Sequence, residues 1–267
     1  LMMRVSANLS WLFKDAGSSV AERCKHAGAA GFKVVESDWP GDAVPADELR
    51  AALQDAGLEQ VLLNCCQGDT SAGECGFAAE PGQERRFHDT LQETLQYAAT
   101  IGCNKIHILS GRKLEDSNTA AQEATLIENL RSIVPLLRQL DVTAVIEPIN
   151  PVSRPGYFLN SYDTACRVLE AVGSDRVMLQ LDVFHLQMIA GNITNTINKL
   201  APIIGHVQVA QVPGRGEPSS DGEINYPHVF TTLRNAGYTG FVGCEYKPSS
   251  SNIADTLSWV SQYGLEF

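Results

Sequence analysis

The chain of 267 residues is 44% hydrophobic, a composition typical of soluble globular proteins with a sizeable buried core. Its 20 basic residues are outnumbered by 31 acidic ones, and the resulting charge of −11 repels phosphate backbones and argues against nucleic acid as a partner. No segment approaches the run of about 18 apolar residues that a membrane-spanning helix needs, so no membrane association is expected.

The first residues lack the basic start, apolar middle and small-residue cleavage site of a secretory signal, so we expect a cytoplasmic protein. The seven cysteines are odd in number, scattered and without paired metal-type spacing, which indicates reduced thiols in a reducing compartment. No pattern in the chain predicts a particular oligomeric state.

Short apolar, β-branched runs alternate with helix-length segments along the chain. The predicted strands are Arg4–Asn8, Phe32–Glu36, Gln60–Asn64, Lys105–Leu109, Val142–Glu147, Val177–Asp182, Ile204–Gln208 and Gly240–Glu245. The predicted helices are Ser18–Ala29, Ala46–Ala56, Gln83–Thr100, Ala120–Leu140, a Ser161-capped helix that ends near Val172, Asn192–Leu200, Pro227–Ala236 and Ile253–Tyr263. Eight strands alternating with helices at about 33 residues per unit predict an α/β fold, a (β/α)8 TIM barrel that forms a single domain over residues 1–267.

Two connections differ from the others. The stretch from Cys65 to Gly82 is rich in Gly, Ser and Asp, and it is a candidate lid because long irregular segments in compact domains often bind ligands. The Pro-rich segment 148–156 cannot form a helix. The competing architecture, an open doubly wound sheet, needs a Gly-rich phosphate turn after the first strand, and residues 8–13 do not supply one.

Four predicted strands end on a carboxylate or an amide. An isolated acid at such a position is usually a helix cap or a solvated turn residue, but the carboxyl ends of parallel barrel strands all meet at one mouth. Because side chains alternate along a strand, Gln180 and His206 should also point inward, one layer below the strand ends. For His206, an ordinary core histidine is an almost equally good interpretation. The four strand-end residues are Glu147, Asp182, Gln208 and Glu245.

Convergence of these side chains predicts a bound cation, because carboxylates without one raise each other's pKa and destabilise the fold. The donors are hard oxygens, which favours one divalent metal ion, Mg²⁺ or Mn²⁺, over Zn²⁺. Such an ion would bind both oxygens of an α-hydroxy carbonyl and stabilise an enediolate. Glu147 and Glu245 are the candidate catalytic residues, acting in turn as base and acid on the substrate carbons.

Two further residues are placed near this mouth by the sequence. His185 follows Asp182 by three residues, where the chain leaves the sixth strand. Arg215 lies between two glycines in the loop after the seventh strand, and an arginine in a bidentate pose suits a substrate carboxylate. The alternative for Arg215 is a salt bridge to Glu217 at a solvated turn.

Six segments resemble the hydroxypyruvate isomerases, a family of xylose isomerase-like barrels, and the likeness runs from Ser6 to about Tyr263. The part from Arg215 to Tyr226 is the most specific. The segments are Phe32–Glu36, Ile146–Asn150, Leu181–His185, Gly205–Pro218, Gly222–Tyr226 and Gly243–Tyr246.

The resemblance implies an aldose–ketose isomerase that acts on a small anionic keto acid, converting hydroxypyruvate to tartronate semialdehyde. It also implies that Glu147 and Glu245 form the acid–base pair and that all four strand-end residues hold the metal ion. The residues assigned to substrate binding are His185, Arg215, Glu36 and His107.

Four alternative functions differ from this interpretation. Ketose 3-epimerases usually have a histidine in place of Gln208 and a second glutamate in place of Ser153, so both positions count against an epimerase. Barrel endonucleases for abasic DNA need a histidine-rich zinc site and a basic surface, which do not match six scattered histidines and a charge of −11. An isomerase of a longer sugar acid, such as a 2-oxo-tetronate, stays open because loops set the pocket length. The non-enzymatic alternative is a catalytically idle barrel that binds a ligand.

Overall fold

Eight parallel strands close into a barrel in the computed structural model, which describes residues 2–114 and 119–267. The strands follow one another around the barrel in sequence order, and the last pairs with the first. The apolar core lies between this barrel and the surrounding helices. The predicted (β/α)8 fold is therefore confirmed. The strands are β1 Arg4–Asn8, β2 Val34–Ser37, β3 Glu59–Asn64, β4 Lys105–His107, β5 Thr143–Ile146, β6 Val177–Asp182, β7 Ile204–Val209 and β8 Phe241–Cys244.

The helices mostly match their predicted positions to within a few residues. In the part of the chain that the structure describes, no helix is both long and apolar enough to cross a membrane. The helices are α1 Val20–Ala29, α2 Ala46–Ala56, α3 Glu84–Ile101, α4 Thr119–Gln139, α5 Tyr162–Val172, α6 Val183–Ile189, α7 Ile193–Leu200, α8 Tyr226–Asn235 and α9 Ser258–Gln262.

Two helical segments differ from the prediction. The short helix α6 was not predicted, because it begins directly after β6 without a loop. Asp182 is both the last residue of the strand and the N-cap of the helix, and its Oδ1 accepts a hydrogen bond of 2.8 Å from the Phe184 amide. The helix predicted over Ile253–Tyr263 consists of a 3-10 turn, Ile253–Thr256, followed by α9.

The long connection after β3 is irregular, as expected, apart from a 3-10 turn at Thr70–Ala72. Its second half is packed against the barrel: Ala78 and Ala79 are fully buried, and the Ala79 amide donates to the Ser110 carbonyl at 2.7 Å. This part is therefore a fixed cover, and the role of the whole stretch as a lid stays a prediction.

A buried carboxylate, that of Glu36 in β2, lies inside the barrel. Burial would raise the pKa of Glu36, but His206 and the hydrogen bonds outweigh burial and lower it, so the group is ionised. The donors come from β1 and β7, so this one side chain links strands on two sides of the barrel. They are Ser6 Oγ at 2.6 Å, Asn8 Nδ2 at 3.1 Å, His206 Nε2 at 2.8 Å and Gln208 Nε2 at 2.7 Å.

The space that the Glu36 carboxylate occupies exists because residue 243 in β8 is a glycine. A Cβ atom on Gly243 would overlap both carboxylate oxygens of Glu36. Since four hydrogen bonds hold these oxygens, the side chain cannot move aside without leaving buried donors unpaired.

Replacing Gly243 by alanine should lower the free energy of unfolding by about 1 to 3 kcal/mol, because displaced hydrogen bonds leave buried polar groups without partners. Urea unfolding measures this loss. Gly214→Ala is the matched control, since a Cβ atom there meets no atom within 4 Å. Equal unfolding midpoints for the two variants would contradict the structural role of Glu36.

Candidate active site

Three of the four predicted strand-end residues come together at the carboxyl end of the barrel. Glu147 and Glu245 are the first residues beyond β5 and β8, and Asp182 is the last residue of β6. Arg215 lies between two of these acids: its Nη2 donates to Glu245 Oε2 at 2.8 Å and is 3.5 Å from Asp182 Oδ2. Arg215 therefore pairs with the acids of the site, and Glu217 instead accepts hydrogen bonds from Ser249.

Gln208 is the register partner of Asp182 in the neighbouring strand, and its side chain bonds to Glu36 and Gln180. Its Nε2 donates to Glu36, and its Oε1 accepts from Gln180 Nε2 at 2.7 Å. Gln180 and His206 thus point inward, as the strand alternation predicts. Both ends of the Gln208 amide are hydrogen-bonded, although its oxygen keeps a second lone pair, and metal binding by this residue stays a prediction.

The electrostatics of the three acids fit a bound cation. Burial, followed by repulsion from Glu245 and Asp182, raises the pKa of Glu147 well above its usual value. Burial raises the pKa of Glu245 to about 8 and also raises that of Asp182, although Arg215 opposes both shifts. Glu147 Oε1 is buried and has no hydrogen-bond partner within residues 2–114 and 119–267.

Ligand atoms for a metal ion lie close together here. Glu147, Asp182 and His185 each place one such atom within 4.8 Å of the others. The carboxylate oxygens suit a hard divalent cation, and Glu147 Oε1, which accepts no hydrogen bond from the described residues, can coordinate it. The residues present therefore fit a divalent metal ion at this position.

His185 faces the acids as a hydrogen-bond donor. Its Nδ1 lies 2.6 Å from Asn150 Nδ2 and 3.3 Å from the Asn150 amide nitrogen. The Asn150 side-chain oxygen accepts from the amides of Val152 and Ser153, which fixes the amide orientation. Two donors at Nδ1 leave the proton on Nε2, 3.6 Å from Asp182 Oδ2, and burial lowers the pKa of His185 well below its usual value.

His107 presents the opposite group to the site. Asn64 donates to Asp38 Oδ1 at 2.7 Å, so its own side-chain oxygen faces His107 Nδ1 at 3.1 Å and requires a proton on that nitrogen. Burial, reinforced by the charge of Arg154, lowers the pKa of His107 to about 3, so the ring is neutral. Its unprotonated Nε2 lies 3.7 Å from Glu147 Oε2 and is free to accept a hydrogen bond.

A cavity of about 250 Å³ lies above these groups. It is lined by His107, His185 and Arg215 among the predicted substrate-binding residues, but not by Glu36, which is fully buried in the layer below. The sequence prediction for Glu36 identified its strand but not its depth, because depth depends on how neighbouring strands are staggered.

Several cavity residues were not predicted from the sequence. Asn64 ends β3 in the same way that the four acids and amides end their strands, so the strand-end pattern contained a signal for it. The others lie in loops without such a pattern. They are Trp11, Asp38, Gln67, Ser153 and Arg154.

Comparison with known proteins gives one consistent family. The family described as Xylose isomerase-like TIM barrel matches residues 23–263. A human protein named putative hydroxypyruvate isomerase is 44% identical over 98% of this chain and 95% of its own length. A protein named 2-oxo-tetronate isomerase from Cupriavidus necator is 39% identical over 98% of this chain and 99% of its own length.

A solved structure agrees with this relationship. The crystal structure described as AP endonuclease, family 2, from Brucella melitensis superposes with a TM-score of 0.93 at 38% identity, covering 98% of this chain and 100% of that one. The chain therefore belongs to the xylose isomerase-like TIM barrel family, and within that family it is an isomerase.

Proposed function

We propose that the protein interconverts hydroxypyruvate and tartronate semialdehyde by proton transfer through an enediolate. The observation that carries this proposal is the pair of glutamates, Glu147 and Glu245, on the wall of one small cavity. Burial raises the pKa of both, as proton exchange near neutral pH requires. The intact pair also argues against a catalytically idle barrel.

The reaction moves one proton from C3 of hydroxypyruvate to C2 and a second proton from the C3 hydroxyl oxygen to the C2 oxygen, so that the C3 hydroxyl becomes an aldehyde and the C2 ketone becomes a hydroxyl. One glutamate takes the proton from C3, and the other returns a proton to C2 after the double bond has moved between the two carbons. His185 Nε2 donates a hydrogen bond toward the negative oxygen that develops, while His107 Nε2 accepts one from the substrate hydroxyl. The two opposite tautomers thus match the two kinds of oxygen that an α-hydroxy ketone carries.

Glu147, Asp182 and Glu245, together with Gln208, would hold a divalent ion of the Mg²⁺ or Mn²⁺ type. Ligand atoms of Glu147 and Asp182 lie within 4.8 Å of each other, and Glu245 and Asp182 face the same Arg215 nitrogen. When bound, the ion supplies Lewis-acid polarisation of the substrate carbonyl. Before any ion binds, Arg215 provides positive charge to two of these acids, so its guanidinium and the ion act on the same negative charge.

The second candidate is isomerisation of a 2-oxo-tetronate, which the name of the Cupriavidus relative supports. The cavity of about 250 Å³ suits a substrate of few carbon atoms, a description that both keto acids meet. An epimerase is disfavoured because Ser153, in place of a second glutamate, lines this cavity and its hydroxyl bonds to Asn150. Rates on hydroxypyruvate, a 2-oxo-tetronate and neutral ketoses would distinguish these reactions.

Glu147→Gln and Glu245→Gln should each lower kcat for hydroxypyruvate by about 10²- to 10⁴-fold, because glutamine keeps the shape of the side chain but cannot exchange protons. Glu147→Gln should melt no lower than the wild type, since it removes one of the repelling carboxylates, whereas Glu245→Gln also weakens the ion pair with Arg215 and should gain no stability. Steady-state kinetics and thermal melting measure the two effects. A wild-type rate in either variant would rule out the acid–base pair.

Calorimetric titration with Mn²⁺ should show one ion bound per chain of the wild type. Asp182→Asn should weaken this binding at least tenfold, because a neutral amide replaces a charged ligand. Asp38→Asn is the matched control, since Asp38 lines the cavity but lies outside the cluster of metal-ligating atoms. The metal site would be refuted by wild-type protein that binds no ion or by equal affinities in all three proteins.

A further inference from the structure

Two arginines line the cavity, and their partners differ. The guanidinium of Arg215 pairs with Glu245 and Asp182 and lies over the rings of Trp11 and Phe184, with its Cζ 4.2 and 4.7 Å from the ring centroids. Its side chain is only 13% exposed. The positive charge of Arg215 is therefore already compensated by Glu245 and Asp182.

Arg154 has no such compensation. Within the described parts of the chain no acidic side chain lies at ion-pair distance from it, and its Nη2 donates to the neutral Gln67 Oε1 at 3.0 Å. Its Cζ lies 5.9 Å from the Tyr157 ring. The charge nevertheless reaches the site, because after burial it contributes to the lowered pKa of His107 and of His185.

The backbone that carries Arg154 is held in place. The Arg154 amide donates to the Asn150 carbonyl at 3.1 Å, and the Arg154 carbonyl accepts from the Tyr157 amide at 3.3 Å. Asn150 also bonds to Ser153 and to His185. Asn150 thus fixes both the backbone segment that carries Arg154 and the orientation of the His185 ring. The position of this segment relative to His185 is therefore set before any substrate binds.

We propose that Arg154, with Gln67 as its positioning residue, binds the carboxylate of the substrate and selects keto acids over neutral ketoses. An uncompensated guanidinium on a cavity wall is the group best suited to pair with a carboxylate, whereas the charge of Arg215 is already shared with Glu245 and Asp182. The assignment replaces the expectation that Arg215 holds the carboxylate, and it rests on the proposed function in taking an α-keto acid as substrate.

Kinetics on two substrates test the assignment. Arg154→Met should raise KM for hydroxypyruvate about 10- to 100-fold, the effect of losing a charge-assisted hydrogen bond, with a small change in kcat. The same variant should change kcat/KM for dihydroxyacetone, a neutral ketose of equal carbon number, much less, and Arg154→Lys should recover part of the loss. Arg215→Met should instead lower kcat on both substrates.

Binding without turnover gives an independent readout. Glycerate has the carboxylate but no carbonyl to isomerise, and glycerol has neither. Calorimetry should show weaker glycerate binding in Arg154→Met than in the wild type and no such difference for glycerol. Arg85→Met is the matched control, because it removes the same charge from a side chain of α3 that is 95% exposed.

The outcomes separate the two proposals. If the wild type converts hydroxypyruvate while Arg154→Met keeps both its KM and its glycerate affinity, the role of Arg154 is wrong and the proposed function stands. If the wild type does not convert hydroxypyruvate but binds glycerate, and Arg154→Met weakens this binding while Arg85→Met does not, the proposed function is wrong and the carboxylate site stands. Equal losses in Arg154→Met and Arg85→Met overturn the carboxylate site.

Discussion

The site depends on three carboxylates that repel one another at the mouth of the barrel, two of them buried and the third 13% exposed. Burial raises the pKa of Glu147, Asp182 and Glu245, and each further negative charge raises the cost of ionising the next. Arg215 offsets part of this repulsion through Glu245 and Asp182, but one oxygen of Glu147 has no hydrogen-bond partner in the part of the chain that the structure describes. The protonation of the acids and the binding of a cation are therefore two ways of balancing the same charge.

Neutral amides determine how the surrounding groups meet this charge. Asn150 leaves the proton of His185 on the nitrogen that faces the acids, whereas Asn64 draws the proton of His107 to the nitrogen that faces away. Gln208 joins the carboxylate of Glu36 to Gln180 in the layer below. Since each amide is itself fixed by a second hydrogen bond, the donors and acceptors of the cavity are oriented before substrate arrives.

The fold and the meeting of the three acids were predictable, because the alternation of strands and helices and the parallel topology already bring strand ends to one mouth. Other features depend on three-dimensional relations that are not local in the sequence. The depth of Glu36 depends on strand stagger, and α6 begins without a loop because Asp182 caps it. Arg154 has significance only because no acid of residues 2–114 and 119–267 lies at ion-pair distance from it, which a loop sequence does not reveal.

The central claim is that two glutamates carry a proton between substrate carbons. Turnover of hydroxypyruvate in D₂O, followed by NMR at low conversion with an enzyme-free control, tests it most directly. We expect the wild type to introduce solvent deuterium at C2 of tartronate semialdehyde, because a carboxyl group on the cavity wall exchanges its proton with solvent. Complete transfer of the original C3 hydrogen to C2, with no solvent label at any stage of the reaction, would contradict it.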